Sequence, residues 1–262
     1  MTALAPDTTA GAPAATGSRG LPAVMLRLHR PALVVWAVLV TLTSALLLWA
    51  HGPGRDAAHA DWLRYCADQV GCVWSDGIAE YDRARTLAET VMAVLPLPVA
   101  AWAGAALTGR ELESGTARLA WTQGVSPTRW FAAKLALPAA LLTTGSALLV
   151  GLHHLVAAAP PFPYDWTRHS QNLPGDGALA LAGPLLGLAV GALAGLVLRR
   201  ALPAAAVAVA ATEAVLATTG ILRDRYPTNH LWLPRTLEGG LYLTVTAAAV
   251  GVAFLLLRRR TV

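Results

Sequence analysis

The sequence predicts an all-α, polytopic membrane protein with six transmembrane helices, and three observations carry that reading. Hydrophobic residues make up 55% of the chain and charged ones only 13%, against about 25% charged in a soluble domain. The mean hydropathy is +0.51. The apolar residues gather into six runs, at 31–50, 87–108, 130–157, 177–198, 201–222 and 240–257. Each is close to the ~20 residues that a helix needs to cross the hydrocarbon core.

In chain order, residues 1–20 are rich in Ala, Gly, Pro and Thr with no periodic apolar face, which predicts a disordered tail. Residues 21–262 then form one membrane domain. Leu21, Val24, Met25 and Leu28 follow the helical i, i+3, i+4, i+7 rule, with Arg27, His29 and Arg30 off that face. This predicts a short amphipathic helix lying in the interface, broken by Pro31. The first run is too long for the h-region of a signal peptide, which spans about 7–15 residues.

The net charge of +5 does not point to nucleic acid, because the basic residues sit at the ends of apolar runs, where orientation signals belong. With the tail inside, the inner segments hold Arg19, Arg27, Arg30, Arg110, Arg118, Arg129, Lys134, Arg199, Arg200, Arg258, Arg259 and Arg260, a total of 12. The outer segments hold Arg55, Arg64, Arg83, Arg85, Arg168, Arg223, Arg225 and Arg235, a total of 8. The positive-inside rule therefore places both termini in the cytoplasm. Cys66 and Cys72, the two cysteines, then fall in the outer 51–86 loop. An even pair in an extracytoplasmic loop suggests a disulfide, the alternative being two free thiols.

Lys134 is the single lysine and is flanked by Ala133 and Leu135. No G-x-x-x-x-G-K-[ST] phosphate loop exists, so the chain is not its own ATPase of that kind. Intramembrane aspartyl chemistry needs two Asp within spans, and the six runs contain none. A rhomboid-type serine site needs G-x-S-G, but Gly145-Ser146 is followed by Ala147; H-E-x-x-H is absent.

Within the runs, Gly183, Gly187, Gly191 and Gly195 repeat G-x-x-x-G three times on one helix face. Such a face admits another helix backbone to close range. Pro96, Pro98, Pro138 and Pro184 are expected to kink their spans, which membrane helices tolerate. Glu213 lies near the middle of the fifth run, where a charged carboxylate costs about 2.5–3.5 kcal/mol on insertion scales. It belongs either to a substrate path or proton relay, or is a protonated carboxyl bonded to a neighbouring helix. His153 and His154 point about 100° apart on a helix, so they read as interfacial residues, with His169 in the following loop, rather than as metal ligands.

The longest inner loop, 109–127, is polar in an otherwise apolar chain. Glu111 and Glu113 are two residues apart and diverge on a helix, so they form no paired acid/base site. Gly115 suits a helix end, residues 116–121 a short transverse helix, and Ser126-Pro127 an N-cap and N1 pair for the third span.

That loop resembles the permease subunits of type-2 ABC exporters. Their second and third spans are joined by R-E-x-E-x-G-T, an apolar stretch, then T-x-x-V-S and a later Lys. The matching residues are Arg110, Glu111, Glu113, Gly115, Thr116, Leu119, Thr122, Val125, Ser126 and Lys134. The run Arg118-Leu-Ala-Trp121-Thr122-Gln is similar to a subgroup of small six-span permeases of high-GC bacteria. Gly124 departs from the pattern, since other members often carry a bulkier or polar residue there.

The resemblance implies a coupling helix over 110–123 that docks on a separate ABC ATPase, with Arg118, Leu119 and Trp121 as its contacts. It implies a second permease copy or a sibling, a bacterial cell membrane, and ATP and Mg on the partner, with no cofactor on this chain. The competing readings are a noncatalytic membrane sensor or assembly factor, or a membrane-embedded enzyme.

The charge distribution makes a direct prediction. Single cysteines at Ser114 and Gly175, in a background lacking Cys66 and Cys72, should label from opposite sides of the membrane; labelling of both from outside would refute the inner position of the 109–127 loop.

Overall fold

The computed structural model describes residues 30–67, 75–162, 177–225 and 232–259. The tail expected over 1–20, the amphipathic helix beginning at Leu21, Cys72 and His169 lie outside them. Two units are distinguished, Met1–Leu39 and Val40–Val262. Of the first, only the opening of helix α1 is described.

Helix α1 runs over Arg30–His51 and α2 over Pro53–Tyr65. The second span comprises α3 (Asp76–Val94), α4 (Pro96–Trp102), a π-helical segment (Ala103–Gly109) and α5 (Arg110–Glu113). A short α6 (Thr116–Thr122) leads to α7 (Pro127–Ala158). The chain continues through α8 (Ala178–Leu198), α9 (Ala201–Arg225) and α10 (Trp232–Arg259). No strand occurs among the described residues. Six helical stretches are long and apolar enough to cross a membrane, in the order expected from the sequence.

The described parts of 51–86, residues 51–67 and 75–86, are more regular than the loop expected from hydropathy. Helix α2 follows α1 after a single residue, Gly52, and α3 begins eleven residues before the apolar run at 87. Hydropathy marks where a helix is apolar, not where it ends, and Ala, Arg and Glu continue a helix well in water. Arg55 Nε donates to Ala159 O at 2.9 Å, and Gly77 N donates to Asp61 Oδ2 at 3.0 Å. These bonds tie α2 to the end of α7 and to the start of α3. Three of the prolines expected to kink their spans fall into two kinds of position. Pro96 opens α4, whereas Pro138 and Pro184 lie inside unbroken α7 and α8.

Helix α8 is the centre of the bundle: 67% of its span is buried, against 44% or less for any other span. Its four glycines line the face that meets the second span. A Cβ on Gly183 would stand 2.8 Å from Pro96 Cγ, and one on Gly191 would stand 2.8 Å from Ala103 Cβ and 3.0 Å from Gly104 N. On Gly187 it would run into the Pro96 carbonyl, and on Gly195 into Thr108 Oγ1. The second span returns the arrangement on its other side. A Cβ on Gly104 would meet Ala204 O at 2.8 Å, and one on Gly109 would meet Ala201 Cα at 3.1 Å. Six glycines therefore let residues 96–109 lie backbone-close to both α8 and α9.

The π-helical segment sits in this sandwich. Arg110 N–H reaches back to Ala105 O, five residues earlier. Thr108, fully buried, donates through Oγ1 to Ala103 O at 3.2 Å and across to Ala192 O at 3.3 Å. The hydroxyl thus serves a carbonyl on its own span and one on the neighbour.

Replacing Gly187 or Gly191 with Leu should lower the detergent melting temperature, because overpacking costs about 1–3 kcal/mol even where the neighbours are side chains and here they are backbone. Gly251→Leu, at a glycine with nothing within 4 Å of its Cβ position, should leave the melting temperature unchanged.

Candidate functional site

The polar segment between the second and third spans folds as three pieces. Helix α5 ends at Ser114, and Gly115 turns the chain in the left-handed region, with φ 76°. The corner is held by hydroxyls: Ser114 Oγ and Thr116 Oγ1 are 3.0 Å apart, and Thr116 Oγ1 donates to Glu111 O at 3.3 Å. Helix α6 then runs to Thr122. It closes with Gly124 N donating to Trp121 O and Val125 N donating to Ala120 O, both at 3.4 Å. This bond pair is the Schellman arrangement, and it needs a left-handed residue between. Gly124 supplies it, with φ 86°. The departure from the exporter pattern at Gly124 is therefore the residue that stops this helix. Ser126 Oγ accepts from Arg129 N at 3.3 Å and Pro127 occupies the first turn, which starts α7.

Two faces of α6 differ. Ala117 is buried, and Ala120 and Trp121 pack with Trp130, Phe131, Leu196 and Leu257. The Trp121 and Trp130 rings meet edge to face at 5.8 Å, and Phe131 does the same with Phe254 at 5.4 Å. Arg118, Leu119 and Thr122 are exposed, Leu119 at 60%. Of the three contacts that the resemblance implies, Trp121 is the half-buried one. Its ring fills the gap between α6 and α7, because a seven-residue helix needs an apolar anchor to lie flat on the bundle. Arg118 and Leu119 remain available.

The two carboxylates diverge, as their spacing requires. Glu111 forms an ion pair with Lys134 Nζ, whose side chain is 1% exposed and stands 5.2 Å from the Trp130 ring centroid. Glu113 Oε2 accepts from Ala201 N–H at 2.9 Å. It thereby caps the first turn of α9, where unpaired amides and the positive helix end favour an anion. Arg199 holds a left-handed φ of 53° in the tight turn between α8 and α9. The short loop is thus bonded to the third span through Glu111 and to the fifth through Glu113. Arg110 is exposed beside them.

A second polar cluster, near the opposite end of the second and third spans, escaped sequence reading. Glu89 is 4% exposed. Its Oε1 accepts from Arg85 Nη1 at 2.8 Å and from His153 Nε2 at 3.0 Å, and Arg85 Nη2 also donates to Asp82 at 3.0 Å. His153 is therefore a buried partner of a carboxylate, while His154 is exposed. The available signal was Glu89 itself, since a carboxylate inside an apolar run demands a partner. Sequence does not name that partner when it lies 64 positions away.

Cys66 is disulfide-bonded. Glu213 is exposed on α9.

The described residues thus form six apolar helical spans with a polar, doubly tethered helix between the second and the third. Residues 33–223, well over half of the chain, match the family described as ABC-2 membrane transporter related, and the protein belongs to that family. It is accordingly a permease of the ABC-2 type, a transport subunit and not a catalytic one. No curated protein and no solved structure matches the chain.

The Glu111–Lys134 pair is asymmetric, with side-chain exposures of 20% and 1%. Glu111→Gln strands a buried ammonium and should cost about 3 kcal/mol, the usual penalty for removing one partner of a buried pair. Lys134→Met should cost less, and the double variant should match Lys134→Met in denaturation measurements.

Proposed function

We propose that this chain is the membrane-spanning half of an ATP-driven exporter in a bacterial cell membrane. Both termini face the cytoplasm, and a separate ABC ATPase, holding ATP and Mg, drives it through residues 110–123. A second copy or a sibling permease completes the path, since six spans form half of such a transporter. The single observation that carries the reading is the construction of α6. It is a surface helix with one face sealed onto the bundle and the other bare, linked by side chains to the third and fifth spans. A force on Arg118 or Leu119 would pass to α7 through Trp121 and Glu111, and to α9 through Glu113. The chain carries no phosphate loop, so uphill transport requires energy from a partner.

The division of labour on the loop is testable. Leu119→Asp and Arg118→Glu should weaken co-purification of the ATPase about tenfold or more, consistent with interface contacts worth over ~1 kcal/mol. Glu113→Ala should keep the partner bound and abolish transport, because only the cap on α9 is lost. Trp121→Ala should impair both by freeing α6 from Trp130. Normal transport in all four variants would remove the coupling role and the exporter reading with it.

A further inference from the structure

Glu213 lies twelve residues into α9 from Ala201, about 18 Å along the axis at 1.5 Å per residue. It is about 14 Å from Leu222, the end of the apolar span. It is thus near the middle of the bilayer, and it is exposed on the outside of the bundle. Among the described residues of the spans, no other exposed ionisable side chain lies at that depth. Glu89 and Lys134 are buried and paired near opposite ends. Ala206, Ala210 and Ala217 share the exposed face with Glu213, at helical spacings of four, three and four residues. The carboxylate therefore stands out of a strip of methyl groups that gives it no shielding. Facing lipid there is costly, and intramembrane acids belong in cavities and transport paths.

A second copy cannot neutralise this group with a base of its own. Two copies inserted with the same orientation are related by an axis along the membrane normal, so every residue keeps its depth. At the depth of Glu213 the partner offers only what this chain has at mid-span, and none of the described mid-span residues is basic. Arg199 and Arg200 lie thirteen and more residues away along the chain, and Arg223 lies ten away, which is about 15–20 Å of helix.

We propose that Glu213 is a cation-recognising carboxylate in the translocation path, and that the cargo is an amphipathic molecule carrying a positively charged nitrogen or comparable onium centre on an apolar body. The inference rests on the exporter reading for the existence of a path between two copies. It adds the chemical class of the cargo. The alanine strip accepts the apolar body, and Glu213, together with its counterpart at the same depth in the second copy, supplies the carboxyl groups that meet the cationic centre.

Tetraphenylphosphonium and tetraphenylborate test this, being nearly identical in shape and opposite in charge. Their binding to purified full-length permease in lipid nanodiscs is measured against empty nanodiscs of the same lipid. Wild type should bind the cation at least tenfold more tightly than the anion, after subtraction of lipid partitioning. Glu213→Gln should reduce that preference below twofold, and Glu213→Asp should retain it, with melting temperatures unchanged. No cation preference in wild type, or a preference that survives Glu213→Gln, overturns the proposal. Disulfide cross-linking of Ala210→Cys, with both native cysteines replaced by serine, reports the second copy separately. Cross-linking without cation preference sinks the cargo assignment alone; absence of cross-linking sinks the shared path on which it rests.

Discussion

The arrangement of the bundle depends on how closely residues 96–109 of the second span approach their two neighbours. In water, helices associate to hide apolar surface, but lipid tails are as apolar as leucine and remove that drive. What remains is dispersion and interhelical hydrogen bonding, both of which act at short range. The four glycines of α8 and the pair Gly104 and Gly109 bring backbones within that range on both sides of the segment. Thr108 then adds a hydrogen bond from the second span to Ala192 on α8. Everything at the loop end of the bundle is positioned from this contact. Helix α5 leaves directly from the clamped segment, so Glu111 and Glu113 start from a fixed place.

The π-helical segment has a consistent role in this frame. A π turn widens the helix and shifts each backbone bond by one residue. Over Ala103–Gly109 the shift presents Gly104 and Gly109 to α9 while Thr108 turns to α8. The irregular segment is the part of the span that meets both neighbours at backbone range. It lies immediately before the loop through which a partner would act.

Much of this was legible in the sequence, for reasons that can be named. The spans were legible because the cost of polar groups in hydrocarbon leaves a long apolar signature. The glycine face was legible because its period of four is local. The corner at Gly115 and the N-cap at Ser126 were legible because capping chemistry is also local. Contacts between distant positions were not. Nothing in the spacing connects Glu113 to Ala201 or Glu89 to His153. The sequence also marks Trp121 as a large aromatic on a surface helix without saying which way it faces. Its partner Trp130 lies beyond a turn whose geometry rests on Gly124. Helices that continue beyond an apolar run into polar sequence, as α2 and the start of α3 do, escape any reading built on hydropathy.

The two polar clusters complete the mechanical picture. Glu111–Lys134 near the loop, and Glu89–His153 towards the other end, both join the second span to the third. Between them the second span is held not by charge but by backbone proximity to α8 and α9. Buried ion pairs and hydrogen bonds to a buried carboxylate are sensitive to geometry, because a small separation returns the desolvation cost without the attraction that offset it. Packed glycine faces tolerate sliding poorly, for steric reasons. The second span is thus tied at both ends by contacts that are costly to stretch and in the middle by contacts that are costly to shear. The loop that carries α6 is bonded to the third span through Glu111 and to the fifth through Glu113, and α9 is the helix whose exposed face carries Glu213.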